Sequence, residues 1–464
     1  MDRGTRSTTP SGPRQEHERR RASLAAVLAA ARGSGRGATV GLAKDTSNLF
    51  RDREAGGRRL LDVRGFDHVL AVDAEAGRVE AEGMATYAAI VDATLQAGTM
   101  PAVVPQLATI TLGGAAAGVG IEATSFREGL VHETLAEFDV LTGTGDIVRC
   151  RPDNEHADLF HGFPNSYGTL GYALRLVART RPVRPFVAVT HRRFGDAARF
   201  LDAVEAACDG DADFVDGVVF DRGTLVLTEG RFADEAPATS DYTFENVYYR
   251  SLLARERDWL TVRDWLWRWD TDWFWCSRNV GAQHPLLRRL YGRSRLNSRT
   301  YQRIMRWNAR LGLTRALDRL RGGHAEPVIQ DVDIPVASAG RFLAFLLDEI
   351  AILPIWTCPI TPSPAAGRFA LYPMTPSARY VNFGFWDVLR RRERHPPGHF
   401  NRRIEVMVAE CGGIKSLYSD SYFAREDFDR IYGGAAYRAL KARYDPQGVF
   451  PELYDKCVGR RGAS

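Results

Sequence analysis

The sequence predicts an α+β fold in two units, and three observations carry that reading. Short alternating stretches at 138–142, 147–150 and 172–178 are separated by turn residues, a pattern of packed short strands without regular βαβ alternation. A Pro-bearing stretch, Arg181-Pro182-Val183-Arg184-Pro185, punctuates the chain after that group. Residues 411–464 carry helical spacing, broken at Gly433-Gly434.

In chain order, Arg19-Arg20-Arg21 followed by Leu24 to Ala31 has the charge-then-apolar order of a secretory signal. The apolar stretch is short and half alanine, so an amphipathic helix after a disordered basic tail (1–15) is expected instead. A short strand at Thr39–Leu42 runs into Lys44–Phe50. Strand pieces follow at Leu60–Val63, His68–Val72 and Arg78–Glu82, the last two joined by the Asp73–Gly77 turn. Tyr87, Ile90, Val91 and Leu95 give 85–97 helical spacing, with Gly98 as its stop. Thr144-Gly145-Asp146 turns a hairpin between the strands at 138–142 and 147–150, and Asp158 opens a helical segment. Beyond the boundary come a helix at 195–208 and a hairpin around Asp221-Arg222-Gly223. A tryptophan-dense segment at 259–275, a helix at 339–351 and strands at 354–358, 368–373 and 380–386 complete the second unit.

Composition narrows the function. The chain is 45% hydrophobic and 26% charged with a net charge of +5, and no apolar run reaches the length of a membrane span. Arginines are interleaved with Asp and Glu almost everywhere, which argues against a dedicated nucleic-acid binder. Lysine occurs only at positions 44, 415, 441 and 456, an Arg-for-Lys bias expected of a GC-rich bacterial genome. Six scattered cysteines form no C-x-x-C pair, so neither a metal site nor a disulfide framework is expected, and a reducing cytoplasm is the simplest compartment.

From Thr109 to Gly129 the chain is crowded with glycine, alanine and small hydroxyls. Each interior Gly costs about 0.5–1 kcal/mol relative to Ala, so this is poor material for a helix and points to a backbone passing close to something flat or anionic. Gly118-Val119-Gly120-Ile121-Glu122-Ala123 fits a dinucleotide fingerprint, with Asp139 downstream. The residues entering it, Gly113 to Ala117, are too small for the buried strand that a Rossmann turn needs.

Four blocks in order resemble the vanillyl-alcohol-oxidase superfamily and its PCMH-type FAD-binding domain. Thr46-Ser47-Asn48-Leu49-Phe50 stands where the family places a phosphate-binding loop. Thr111-Leu112-Gly113-Gly114 through Gly118, Gly120, Ile121, Ser125 and Gly129 matches the run along the pyrophosphate and flavin edge. Asp158-Leu159-Phe160 with Gly168-Thr169-Leu170-Gly171 matches the block near the adenosine end, and Tyr444–Pro451 the C-terminal segment. The resemblance implies a PCMH-type domain at 16–183, an α+β substrate (cap) domain at 184–410, and a C-terminal segment, 411–464, returning to the first. Residues 44–53 contain no histidine, so non-covalent FAD is expected. The absence of a His-Trp pair departs from the aldonolactone oxidases.

Gly118–Glu122, Ile355–Pro359, Leu417-Tyr418-Ser419-Asp420 and Phe450–Lys456 look closest to the Δ24-sterol reductase group and its bacterial methylene-fatty-acyl reductase relatives. That likeness implies hydride transfer from NADPH through FAD to a lipid carbon–carbon double bond. Glu122, Tyr418 and Asp420 are the candidate proton donors, and Lys415 a flavin or phosphate contact. An alcohol or sugar oxidase or dehydrogenase of the same superfamily is the alternative. Trp265, Trp269 and Trp273 at i, i+4 and i+8 read as core, with a peripheral membrane contact through Trp259–Trp275 at the inner face of the membrane as the second reading.

Overall fold

The computed structural model describes residues 12–33, 39–44, 50, 59–244, 246–311 and 324–458. Helix α1 (Pro13–Gly33) precedes a parallel pair, β1 (Val40–Ala43) and β2 (Arg59–Asp62). The first unit is an antiparallel sheet of β3 (Val69–Asp73), β4 (Arg78–Glu82), β5 (Thr99–Pro101), β6 (Leu135–Leu141), β7 (Ile147–Cys150) and β8 (Tyr172–Pro182). Its order is β3-β4-β8-β6-β7, with β5 pairing β8 off that path. Helices α2 (Tyr87–Gln96), α3 (Leu112–Gly118), α4 (Ser125–Glu128) and α5 (Ala157–Gly162) accompany it. Leu174, Leu176 and Ala178 of β8 are buried, as the period of two requires.

The polar face of that sheet explains the N-terminal arginines. Arg175 pairs with Glu137 at 2.6 Å, and Arg21 of α1 reaches Asp139 at 3.4 Å. Buried Glu82 receives Arg20 and His17, each at 2.7 Å, while Leu24 and Leu28 bury the apolar side of α1.

The second unit is an eight-stranded antiparallel sheet. Its strands are β9 (Phe186–Phe194), β10 (Phe214–Asp221), β11 (Thr224–Ala233), β12 (Arg257–Thr261), β13 (His324–Pro335), β14 (Ile355–Ile360), β15 (Tyr380–Arg391) and β16 (Ile414–Lys415). They lie in the order β12-β9-β11-β10-β14-β15-β13-β16. Helices α6 (Ala197–Asp209), α7 (Tyr248–Ser251), α8 (Val262–Leu266), α9 (Pro285–Tyr291), α10 (Ser298–Leu311), α11 (Val336–Phe345) and α12 (His399–Glu410) belong to this part of the chain. Next come α13 (Arg425–Ile431), α14 (Gly434–Tyr444) and α15 (Leu453–Cys457). The C-terminal segment touches the first unit directly. Lys441 Nζ donates to the Thr169 carbonyl at 2.8 Å, and the Tyr444 hydroxyl donates to Asp158 at 2.7 Å. Together these elements form a mixed α/β fold consistent with a PCMH-type domain plus a cap.

Three local expectations differ from the structure. Residues 368–373 form no strand: Gly367 precedes them, Pro373 ends them, and Ala370 N bonds the His161 carbonyl outside any ladder. The glycine run does form a helix, α3, capped by Thr111, whose Oγ1 accepts from Gly114 N. The tryptophans share no single helical face, because α8 ends at Leu266 and Trp273 and Phe274 adopt positive φ. Trp265, Trp269, Trp273 and Trp275 are all buried, in keeping with the core reading of these rings. Among the described residues, no helix is long and apolar enough to cross a membrane.

Candidate active site

The glycine helix is positioned by main-chain contact. Gly113 N bonds the Gly83 carbonyl at 2.9 Å, and a Cβ at Gly113 would lie 2.7 Å from that oxygen. Gly120 is pressed against Val131, Gly129 against Glu133 and Gly171 against Val140. Leu112 and Leu170 are core, and Ser125 Oγ accepts from Glu122 N. Gly114 is exposed and Ala117, Gly118 and Ile121 are half-buried, so one side of α3 and its exit keeps accessible backbone.

The loop 165–168 crosses the end of that helix. Tyr167 N donates to the Ala117 carbonyl, and the Tyr167 hydroxyl donates to the Gly118 carbonyl at 3.0 Å. Asn165 and Tyr167 both hold positive φ, followed by Gly168, and Thr169 is tied to Ser166 and Lys441. Among the buried polar atoms without a hydrogen-bond partner in the described residues are Asn165 Oδ1 and Ser166 Oγ of this loop, and Gln106 Nε2 and Thr109 Oγ1 in the run leading to α3. Unmet polar groups beside an open glycine face are what a pyrophosphate and a flavin edge would satisfy, so these residues fit FAD. Thr46, Ser47, Asn48 and Leu49 lie outside the described residues. Phe50, which follows them, bonds the Tyr418 carbonyl through its N–H and stacks on Trp273.

Two buried acid clusters come next. Glu122, on the exit of the glycine helix, accepts from Arg268 at 3.1 Å, and Arg268 also donates to Asp216 at 2.7 Å. The Arg268 guanidinium stacks on Trp265 with 3.7 Å to the ring centre, and Trp356 Nε1 donates to Asp216 at 3.3 Å. Burial pushes the Glu122 carboxyl up to about 7, Arg268 opposing the shift and the like charge of Asp216 reinforcing it. Glu122 Oε2 has no hydrogen-bond partner among the described residues.

The second cluster is centred on Tyr418, whose hydroxyl accepts from Trp386 Nε1 at 2.8 Å and bonds Asp331. Burial raises Asp331 to about 7, the Tyr418 bond opposing and Asp333 adding to it. Gly384 stands opposite Asp331 in the β13–β15 register, and a Cβ there would lie 2.6 Å from Asp331 Oδ1. Phe274 packs against Trp356 and Trp386, so aromatic rings join the surroundings of the two clusters.

Of the three expected acids, Glu122 and Tyr418 sit in these clusters. Asp420 contributes its main-chain carbonyl, which accepts from Lys415 Nζ at 2.6 Å. Lys415, expected as a flavin or phosphate contact, is fully buried and donates to Glu405 at 2.7 Å. An ammonium so enclosed needs a carboxylate partner, and this one is internal. Arg268, Asp216 and Asp331 were not anticipated. The signals were an arginine among tryptophans at 265–269 and two carboxylates spaced by two within the apolar strand at 328–334.

Comparison with known proteins agrees with the cofactor. Residues 19–151 match the FAD binding domain family. The chain is 26% identical over 412 residues to the Delta(24)-sterol reductase of Homo sapiens, covering 84% of this chain and 75% of the relative. It is 25% identical over 437 residues to that of Arabidopsis thaliana, covering 85% and 76%. Cytokinin dehydrogenase 7 of Oryza sativa subsp. japonica is 33% identical over 178 residues, 37% of this chain and 33% of the relative.

Proposed function

From the premise that the chain carries a PCMH-type FAD-binding domain, we propose an FAD-dependent reductase. Its substrate is a carbon–carbon double bond in a lipid, either a methylene-branched acyl chain or a sterol side chain. Bound FAD, held non-covalently along the open side of Gly114–Ile121 and the 165–168 loop, supplies a hydride whose source is NADPH. The likeness to Delta(24)-sterol reductases along most of the chain supports the substrate class.

The observation that carries the reading is Glu122, a buried carboxyl at the exit of the glycine helix, pushed up to about 7 by burial and with Oε2 unpartnered among the described residues. An isolated alkene has no carbonyl to stabilise a carbanion, so its reduction calls for a proton at one carbon as hydride reaches the other. Arg268 engages Oε1 and is itself balanced by Asp216, which leaves Oε2 to carry the proton. Aromatic walls exclude water and favour the neutral acid. Tyr418, backed by Asp331, is the second acid of the site.

Anaerobic mixing of the flavin-loaded protein with NADPH tests the electron donor. Rapid bleaching of the flavin absorption is the expected result. No bleaching with NADPH, but bleaching with an alcohol or sugar, would replace the proposal with the oxidase or dehydrogenase reading.

A further inference from the structure

The most one-sided stretch of this chain lies outside the site. Between Asp272 and Asp318 there is no Asp or Glu, yet the same stretch holds ten arginines, in a chain with 62 basic and 57 acidic residues overall. The stretch includes α9 and α10. Five of the nine exposed large hydrophobics among the described residues also lie here: Leu286 (63% exposed), Leu287, Leu290 (75%), Met305 and Trp307 (60%). Arg289, Arg295, Arg299 and Arg303 are exposed beside them.

The surface is built and anchored from within. Arg288, the buried arginine of α9, donates to Asp272 at 2.7 Å. Ser298 donates to Asp270 at 2.6 Å, and the Tyr301 hydroxyl donates to the Thr271 carbonyl at 2.8 Å. The inward groups are satisfied, so the outward leucines and tryptophan are a stable face of folded helices.

We infer that α9 and α10 form a docking surface for an anionic lipid bilayer. Apolar side chains flanked by arginines match the acyl boundary and the phosphate layer above it, and nothing acidic in the segment repels the headgroups. A second copy of the chain is disfavoured, since it would oppose one arginine-rich face with another. Nucleic acid would leave the exposed leucines and Trp307 without a role. Through Trp275, whose Nε1 donates to the Trp386 carbonyl at 3.3 Å, the segment is joined to the sheet bearing Tyr418's partners.

Vesicle flotation of the full-length, flavin-loaded protein tests this without reference to catalysis. Wild type is expected to float with phosphatidylcholine vesicles containing about one-third phosphatidylglycerol and not with phosphatidylcholine alone. Binding should weaken at least about tenfold between 0.1 and 0.5 M salt, as screening requires. The variants R299E/R303E and L286E/L290E should each lose at least about tenfold in partitioning while keeping the wild-type melting temperature. If the second pair fails to fold, L290S alone is measured in its place. Equal binding to both vesicles, no binding to either, or variants that bind like wild type would overturn the inference. So would vesicle-independent self-association that the same variants abolish.

Discussion

The proposed chemistry concentrates in one side chain, Glu122. E122Q keeps the shape and the Arg268 contact but removes the transferable proton. It is expected to bind FAD and to bleach with NADPH as wild type does, while alkene reduction falls by about 10²–10⁴-fold. The pH sign follows from the raised carboxyl, which acts in its protonated form: wild-type turnover should decline as pH rises through about 7. Stability shares that sign. The folded state holds a proton that the unfolded chain has lost above about 4.5, so this group stabilises fully below that value and the contribution is lost towards pH 7. Urea titrations between pH 5 and 8 should therefore show a shallower decline in E122Q than in wild type. At Gly113 the prediction is steric. G113A drives a methyl into the Gly83 carbonyl and should cost about 1–3 kcal/mol in thermal or urea unfolding.

At the scale of elements, α1 depends on one carboxylate. Burial alone would raise Glu82, but hydrogen bonds from His17 and Arg20 override it and hold the carboxyl near 2. Its contribution is thus present above the ordinary carboxylate range and lost as pH falls towards 2. E82A strands Arg20 and His17 and should cost about 3 kcal/mol, read as lost hydrogen-exchange protection across Pro13–Gly33. Elements were legible where period and punctuation agreed. Tyr87, Ile90 and Val91 announce α2, and Gly433 marks the start of α14. Strands β9 and β13 were missed. His191-Arg192-Arg193 blurs the alternation of β9, and the paired acids Asp331 and Asp333 break the apolar reading of β13. The glycine run misled for the opposite reason: tertiary contact with Gly83 and the Thr111 cap sustain a helix that propensity disfavours.

For the whole molecule, the order of four short blocks pointed to the cofactor domain, because their succession along the chain is more specific than any one of them. The acid clusters were illegible beyond Glu122 and Tyr418. Arg268, Asp216 and Asp331 come from distant elements of the second unit, and only the packing of β10, β13 and the 265–275 turns brings them near their partners. The same packing absorbs the tryptophans into the core and leaves α9 and α10 as the apolar, basic exterior. The central claim joins these parts: bound FAD, a protonated Glu122 and the aromatic rings around it together saturate a lipid alkene. Mass spectrometry of a Δ24-unsaturated sterol and of a methylene-branched acyl lipid, each incubated anaerobically with flavin-loaded protein and NADPH, tests it most directly. The account predicts that one of them gains two hydrogens with wild type and neither does at a comparable rate with E122Q. Unchanged alkenes with wild type, under conditions where an alcohol substrate is oxidised, would contradict it.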